Sequence, residues 1–216
     1  MSGAAITLHH RLEPEDQARA DFYALLARLY AAGPDAALLA AIAAAPPLDV
    51  AAVAASDDEG SGSQLAAAWD RLRAASAAMD PDAATQEYVD VFVGVGKSEV
   101  NLHGSHWLTG FMMEKPLAEL RADLAALGLA RRPEVTMLED HLSALCETMR
   151  ILIGGQGERR PAPVHEQRRF FEARIAPWAN DCCAAIEDCP LANYYRRVAQ
   201  FTRFFLAIER DALAME

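Results

Sequence analysis

A chain of 216 residues, 52% of them hydrophobic, can bury one real core or two small lobes that share one. Its formal net charge of −11 is uneven: residues 1–60 hold nine acids against three bases and residues 61–150 thirteen against eight, while residues 151–216 hold nine of each. Nucleic acid and anionic membrane are bound through clustered Lys and Arg, so both are disfavoured as ligands. A basic partner suits the acidic two-thirds better, although acidity also serves solubility alone.

No apolar run approaches the ~20 residues needed to span a bilayer. Met1 to Leu12 lacks a basic region followed by an apolar stretch, so it does not read as a secretory signal, and a cytoplasmic address is expected. Cys146, Cys182, Cys183 and Cys189 contain no CxxC pair and read as reduced core thiols.

No strand pattern or repeat is visible. Phe22, Leu25, Leu26 and Leu29 give the i, i+3, i+4, i+7 stripe of a first helix, ended by Gly33-Pro34. Asp35 to Ala45 predicts an alanine-rich second helix, stopped by Pro46-Pro47, and Ser56 to Ser63 a polar loop. A third helix follows over Leu65 to Met79. Asp80-Pro81 supplies a cap and first-turn proline for a fourth, ending at Gly94.

Residues 95–113 read as irregular or briefly helical. Pro116 to Leu127 predicts a helix with Gly128 at its C-cap and Leu129 making the closing contact. Thr136-Met137-Leu138-Glu139 has the capping-box pattern, so a helix is expected to start there, with Leu138, Leu142, Leu145, Met149 and Leu152 as its buried stripe. Gly154-Gly155 ends it. After a loop over 156–163, two long helices are expected at roughly 164–187 and 190–214. The fold class is therefore all-α, a single domain over residues 1–216 of about 8–10 helices, with flexible loops near 56–63 and 154–163.

Motifs for chemistry are sparse. Gly94-Val95-Gly96-Lys97-Ser98 has the ending of a phosphate-binding loop, but the glycine needed five residues before Gly96 is Val91, and a helix precedes it where such loops follow a strand. His103 with His106, and His141 with Cys146, lack companions at metal-ligand spacing, so no metal and no cofactor is expected. No nucleophile stands in a glycine-rich elbow, and no catalytic residue is assigned. Glu139-Asp140-His141 stands out: one acid in a first helical turn suits the helix dipole, and a second would leave a carboxylate free for a guanidinium.

Taken in order, these blocks resemble the TorD/DmsD family of chaperones for molybdenum-containing redox enzymes. Glu87-Tyr88-Val89-Asp90-Val91-Phe92-Val93-Gly94 is similar to the family's E-Y-x-x-L-F-x-G. Gly96-Lys97 comes next, and Gly104-Ser105-His106-Trp107-Leu108-Thr109-Gly110 is similar to its G-S-x-x-L segment. Glu139-Asp140-His141-Leu142 is similar to E-P-E-D-H-L, and Pro177-Trp178 and the Tyr194-Tyr195 to Phe205 helix follow. Residues 1–80 match in helical character only. Leu138 stands where the family often has proline, Tyr88 for a tryptophan of some members, Val91 for leucine and Val95 for a frequent proline.

The resemblance implies a non-enzymatic chaperone with a TorD-like bundle and a hinge loop before Glu139. Its partners would be the twin-arginine leader and apoprotein of a molybdoenzyme of formate dehydrogenase, dimethyl sulfoxide reductase or trimethylamine N-oxide reductase type. Leader-contacting residues would be Tyr88, Val91, Phe92, Ser105, Trp107, Leu108, Leu138, Glu139, Asp140 and His141. Glu139 and Asp140 would meet the arginines, and His141 would orient Asp140 or contact the peptide. Val91 and Phe92 fit plain core equally well. A monomer and a domain-swapped dimer both accord with the resemblance. Two other readings stay open: a nucleotide-binding protein or weak hydrolase using the Gly96-Lys97 loop, and a structural subunit of a redox complex.

Overall fold

Ten α-helices lie in residues 12–49 and 59–215, the residues that the computed structural model describes. They are α1 (Pro14–Ala31), α2 (Ala36–Ala44), α3 (Glu59–Ala78), α4 (Pro81–Tyr88), α5 (Gly104–Thr109), α6 (Lys115–Ala126), α7 (Leu142–Gly154), α8 (Val164–Arg174), α9 (Ala179–Asp188) and α10 (Tyr194–Met215). No strand occurs among the described residues; two isolated bridges, His103 with His141 and Gln156 with Arg159, are the extended pairings. Nor is any described helix long and apolar enough to cross a membrane.

α10 is the central element, packing on α3, α9, α8 and α4. Its buried face runs Tyr194, Tyr195, Val198, Phe201, Thr202, Phe205, at the predicted helical spacing. Phe22 of α1 sets its ring edge against Trp69 of α3 and against Phe201 and Phe205, at 5.2–5.7 Å between centroids. This cluster joins three helices far apart in the chain. α1 in turn lies along α7, where Leu142, Leu145, Cys146, Met149 and Leu152 are buried. The four cysteines are all buried free thiols.

Punctuation sets most boundaries. Asp35 caps α2 by accepting the Leu38 N–H at 2.7 Å, and Asp80 caps α4 by accepting from Asp82 and Ala83. Gly128 (φ +67°) closes α6, with Leu129 N–H returning to the Leu124 carbonyl at 2.8 Å. α4 runs on as a π-helical turn, Val89–Val93, that ends at Gly94. There φ is +65°, and a Cβ would overlap the Lys97 carbonyl, so only glycine fits.

Four expectations need correction. α3 begins at Glu59 rather than Leu65, so residues 59–63 of the expected loop are helical; residues 50–58 lie outside the described residues. Gly62, Leu65, Ala66 and Trp69 form its buried stripe, which outweighs the poor helix propensity of Ser and Gly. The expected helix over 164–187 is two, α8 and α9, parted at 175–178. Pro177 cannot donate to the helical ladder and pushes the residue before it from helical geometry, and Trp178 Nε1–H takes up the freed Arg174 carbonyl at 2.8 Å.

α10 starts at Tyr194 rather than near residue 190, because its first N–H groups are gathered by a distant acid. Glu87 accepts from Asn193, Tyr194 and Tyr195 at 2.8–3.0 Å. Beside it, Tyr88 O–H donates to the Tyr30 and Ala31 carbonyls, and Tyr195 O–H to Leu29 at 2.9 Å, which satisfies the end of α1. Glu87→Ala is therefore expected to cost about 2 kcal/mol, the scale of a lost charged cap. Urea unfolding checks this: a cost within a few tenths of zero would mean water replaces the carboxylate.

The fourth correction is the start of α7. Thr136 and Glu139 form no capping box. The helix begins at Leu142, with His141 as N-cap accepting the Ser143 N–H through Nδ1 at 3.2 Å. Glu139 and Asp140 are engaged elsewhere.

Candidate functional site

Two segments are stitched together across the middle of the molecule. Gly104 N–H donates to the Asp140 carbonyl at 2.9 Å, and Leu142 N–H to the Leu102 carbonyl at 2.8 Å. Asp140, only 3% exposed, uses Oδ2 to accept from Ser105 N–H (2.9 Å) and Ser105 Oγ–H (2.5 Å), so it caps the start of α5 from another part of the chain. Gly104 lies so close to the Trp178 indole that a Cβ would stand 2.9 Å from Nε1. The G-S of one motif and the E-D-H of the next thus form one joint.

His141 is buried in this joint, its ring edge-on to His103 at 4.8 Å. Burial, then the neighbouring His103, pushes its pKa down to about 3. His103 is lowered by burial too, with Asp140 opposing and His106 adding to the shift; its Nδ1 bonds Asn101 Oδ1 at 3.0 Å. Burial thus disfavours the charged form of both imidazoles. Asp140 Oδ1 is buried with no hydrogen-bond partner among the described residues. Asp140 also lines a cavity of about 10 Å³ with Leu108, Leu120, Leu145, Arg174 and Trp178, too small for a guanidinium. Among the described residues no three His, Cys, Asp or Glu side chains are grouped to hold a metal ion.

Glu139, one residue earlier, is placed differently. Its side chain is 12% exposed and meets two guanidinium groups at once. Arg121 of α6 donates Nε–H (3.1 Å) and Nη2–H (2.9 Å) to Oε2, and Arg131 donates Nε–H to Oε1 at 3.2 Å. Partial burial pushes the carboxyl pKa up, but the bonds and charge of Arg121 and the bond from Arg131 prevail and hold it below the usual range. Arg131 also donates to the Val135 carbonyl, folding the loop between α6 and α7 on itself. Glu139 forms part of the wall of a groove of about 460 Å³ between that loop, α6 and α7, lined by the apolar Leu124, Leu129, Val135, Met137 and Ile151. That size lies within the roughly 300–1,000 Å³ of ligand sites.

The other expected site residues divide by burial. Val91 and Ser105 are fully buried, and Val91 belongs to the core. Tyr88 and Phe92 are half-buried in an aromatic cluster with Tyr30 and Tyr195, Phe92 edge-on to Tyr195 at 4.8 Å. Leu138 packs half-buried against the core, and Trp107 donates Nε1–H to the Asn101 carbonyl at 2.7 Å. Leu108 is 43% exposed, near the bare apolar tips of Phe111 and Met113. The structure thus brings Ser105, Asp140 and His141 together, with Glu139 beside them, and sets Tyr88, Val91 and Phe92 in a separate region. The Gly96-Lys97 loop follows a helical turn, not a strand.

Sequence reading missed Arg121, Arg131 and the groove itself. The available signal was Arg131-Arg132 before Pro133, two adjacent cations within an acidic stretch and a few residues ahead of Glu139.

Residues 58–184 match the family model described as nitrate reductase delta subunit. No curated protein matches the chain. With more than half its length matched, the chain belongs to the nitrate reductase delta subunit family, which includes the TorD/DmsD-like chaperones for maturation of molybdenum-containing redox enzymes.

Proposed function

We propose that this maturation chaperone binds the twin-arginine leader of its client in the cytoplasm and holds the precursor until its cofactor is inserted. The observation supporting this reading is Glu139: one carboxylate, mostly shielded from water, that accepts from two guanidinium groups at the edge of an apolar groove. A leader with two adjacent arginines followed by an apolar stretch has the complementary chemistry. Its arginines dock at Glu139 and its apolar side chains lie along Leu124, Leu129, Met137 and Ile151. Asp140, Ser105 and His141 position Glu139 rather than touch the leader, and Tyr88, Val91 and Phe92 anchor the bundle around it. Trp107 and Leu108 support the joint from α5, and Leu138 from the segment that leads into α7.

Burying ~400–600 Å² of leader would give roughly 10–15 kcal/mol gross at 25 cal/mol/Å². Ordering a disordered peptide takes back a large part, so binding near micromolar is expected. Calorimetric titration with leader peptides encoded near the gene, each beside its twin-lysine variant, tests this. Lys presents a point charge where Arg presents a fork, so the lysine variant should bind at least tenfold more weakly, and Glu139→Gln should weaken the arginine peptide about tenfold. Equal binding of both peptides would remove Glu139 from the recognition step, and no binding to any leader would turn attention to the mature client body.

A further inference from the structure

We infer that Arg121 and Arg131 are a built-in stand-in for the leader's arginine pair, occupying Glu139 in the empty chaperone and giving way when a leader docks. The inference rests on the leader reading above and concerns control of that same site.

Two of the three side chains, Arg131 and Glu139, line the groove. Arg121 reaches Glu139 from α6 and Arg131 from the loop leaving it, and Glu139 sits just before α7, so the ion-paired triad ties these three segments together at the groove's edge. Burial is distributed as an exchange would need. The acceptor side chain is 12% exposed, whereas the donors are 49% and 34% exposed. A guanidinium arriving from solvent can therefore replace either donor without uncovering core. One cation is exchanged for another, so Glu139 is never left as a shielded, unpaired carboxylate, the state that makes such acids costly.

The closed triad also has a cost in affinity. A leader must compete with two cations held at high local concentration on the same scaffold, and the displaced pair stays nearby as like charge. A lysine-bearing peptide lacks the fork to supplant them, so the exchange sharpens selection for arginine.

The test uses a synthetic peptide of two adjacent arginines followed by a leucine-alanine stretch, titrated into the wild-type chain, Glu139→Gln, and the double variant Arg121→Gln/Arg131→Gln. The double variant should bind about fivefold or more tightly than wild type, while Glu139→Gln binds about tenfold more weakly. Unchanged or weaker binding by the double variant, with Glu139→Gln still weakened, would overturn the stand-in and leave the leader reading intact. Binding by none of the three would sink both. The wild-type chain gives a second readout that needs no variant to fold. The side-chain Nε resonances of Arg121 and Arg131, followed by nitrogen NMR, should move to solvent-exposed values on adding the arginine peptide and stay put with its lysine counterpart. Resonances that stay put at saturation with the arginine peptide would likewise overturn the stand-in.

Discussion

Glu209→Ala should destabilise the protein by about 3–5 kcal/mol, the usual result of stripping the partner from a buried charge. Glu209 is 2% exposed, inside α10, and forms a two-pronged pair with Arg19 of α1: Nε to Oε1 at 2.7 Å and Nη2 to Oε2 at 3.1 Å. Two further Arg19 N–H groups are used as well, Nη1 on Asp16 at 2.8 Å and Nη2 on Gln167 of α8 at 3.1 Å, and Gln167 passes a bond to the Ala162 carbonyl. Burial alone would lower the Arg19 pKa; the bond and charge of Glu209 reverse that and raise it. Removing the carboxylate leaves a guanidinium that cannot shed its proton and has lost its main acceptor.

Against a typical total of about 5–15 kcal/mol, the loss is large, and should lower the melting midpoint by roughly 10 °C. Replacing both residues with apolar ones, Arg19→Met and Glu209→Leu, should recover most of it, since no orphaned charge remains. Urea unfolding of the single and double variants decides the matter. A single-variant cost below about 1 kcal/mol would mean that solvent reaches Arg19 once Glu209 is gone.

Helical periodicity and local punctuation made most of the fold legible. Gly33-Pro34, Pro46-Pro47, Asp80-Pro81, Gly128 and Gly155 stand within a few residues of helix ends, because a proline or a positive-φ glycine acts on its own turn. What escaped local reading is capping across the chain. Glu87 caps α10 from more than a hundred residues away, and Asp140 caps α5 from 35 residues downstream. A carboxylate committed in that way looks, in sequence, like one left free for a ligand.

The same cause blurred the site. Glu87-Tyr88, Gly104-Ser105 and Asp140-His141 form a recognisable pattern, and in the structure much of it serves the architecture by holding helix ends that nothing nearby could satisfy. Glu139 is the member whose partners are exposed arginines rather than backbone. The adjacent Arg131-Arg132 pair is visible in the sequence, but only three-dimensional proximity ties Arg121 and Arg131 to Glu139.

The joint that positions Glu139 should also make stability depend on pH. His141, buried and near pKa 3, stays neutral in the folded chain throughout the mildly acidic range, whereas an unfolded chain takes up the proton below about pH 6.5. The unfolded state then binds more protons, so stability falls as pH falls. Above pH 6.5 the imidazole is neutral in both states and contributes nothing to the slope. Between pH 7 and 5 His141 alone should remove about 2 kcal/mol, and the lowered pKa of His103 acts in the same direction.

Urea unfolding at half-unit steps between pH 4.5 and 7.5 measures the slope. Asn can cap a helix without titrating, so His141→Asn should flatten the curve below pH 6.5 whatever its absolute cost from lost packing. A variant curve running parallel to wild type would show that other groups carry the acid sensitivity. Because Glu139 directly precedes the joint made by Asp140 and His141, opening it would release the carboxylate from its place at the groove. In the folded chain His141 stays neutral over this range and the arginine partners keep the Glu139 pKa low, so leader affinity should hold until unfolding itself sets in.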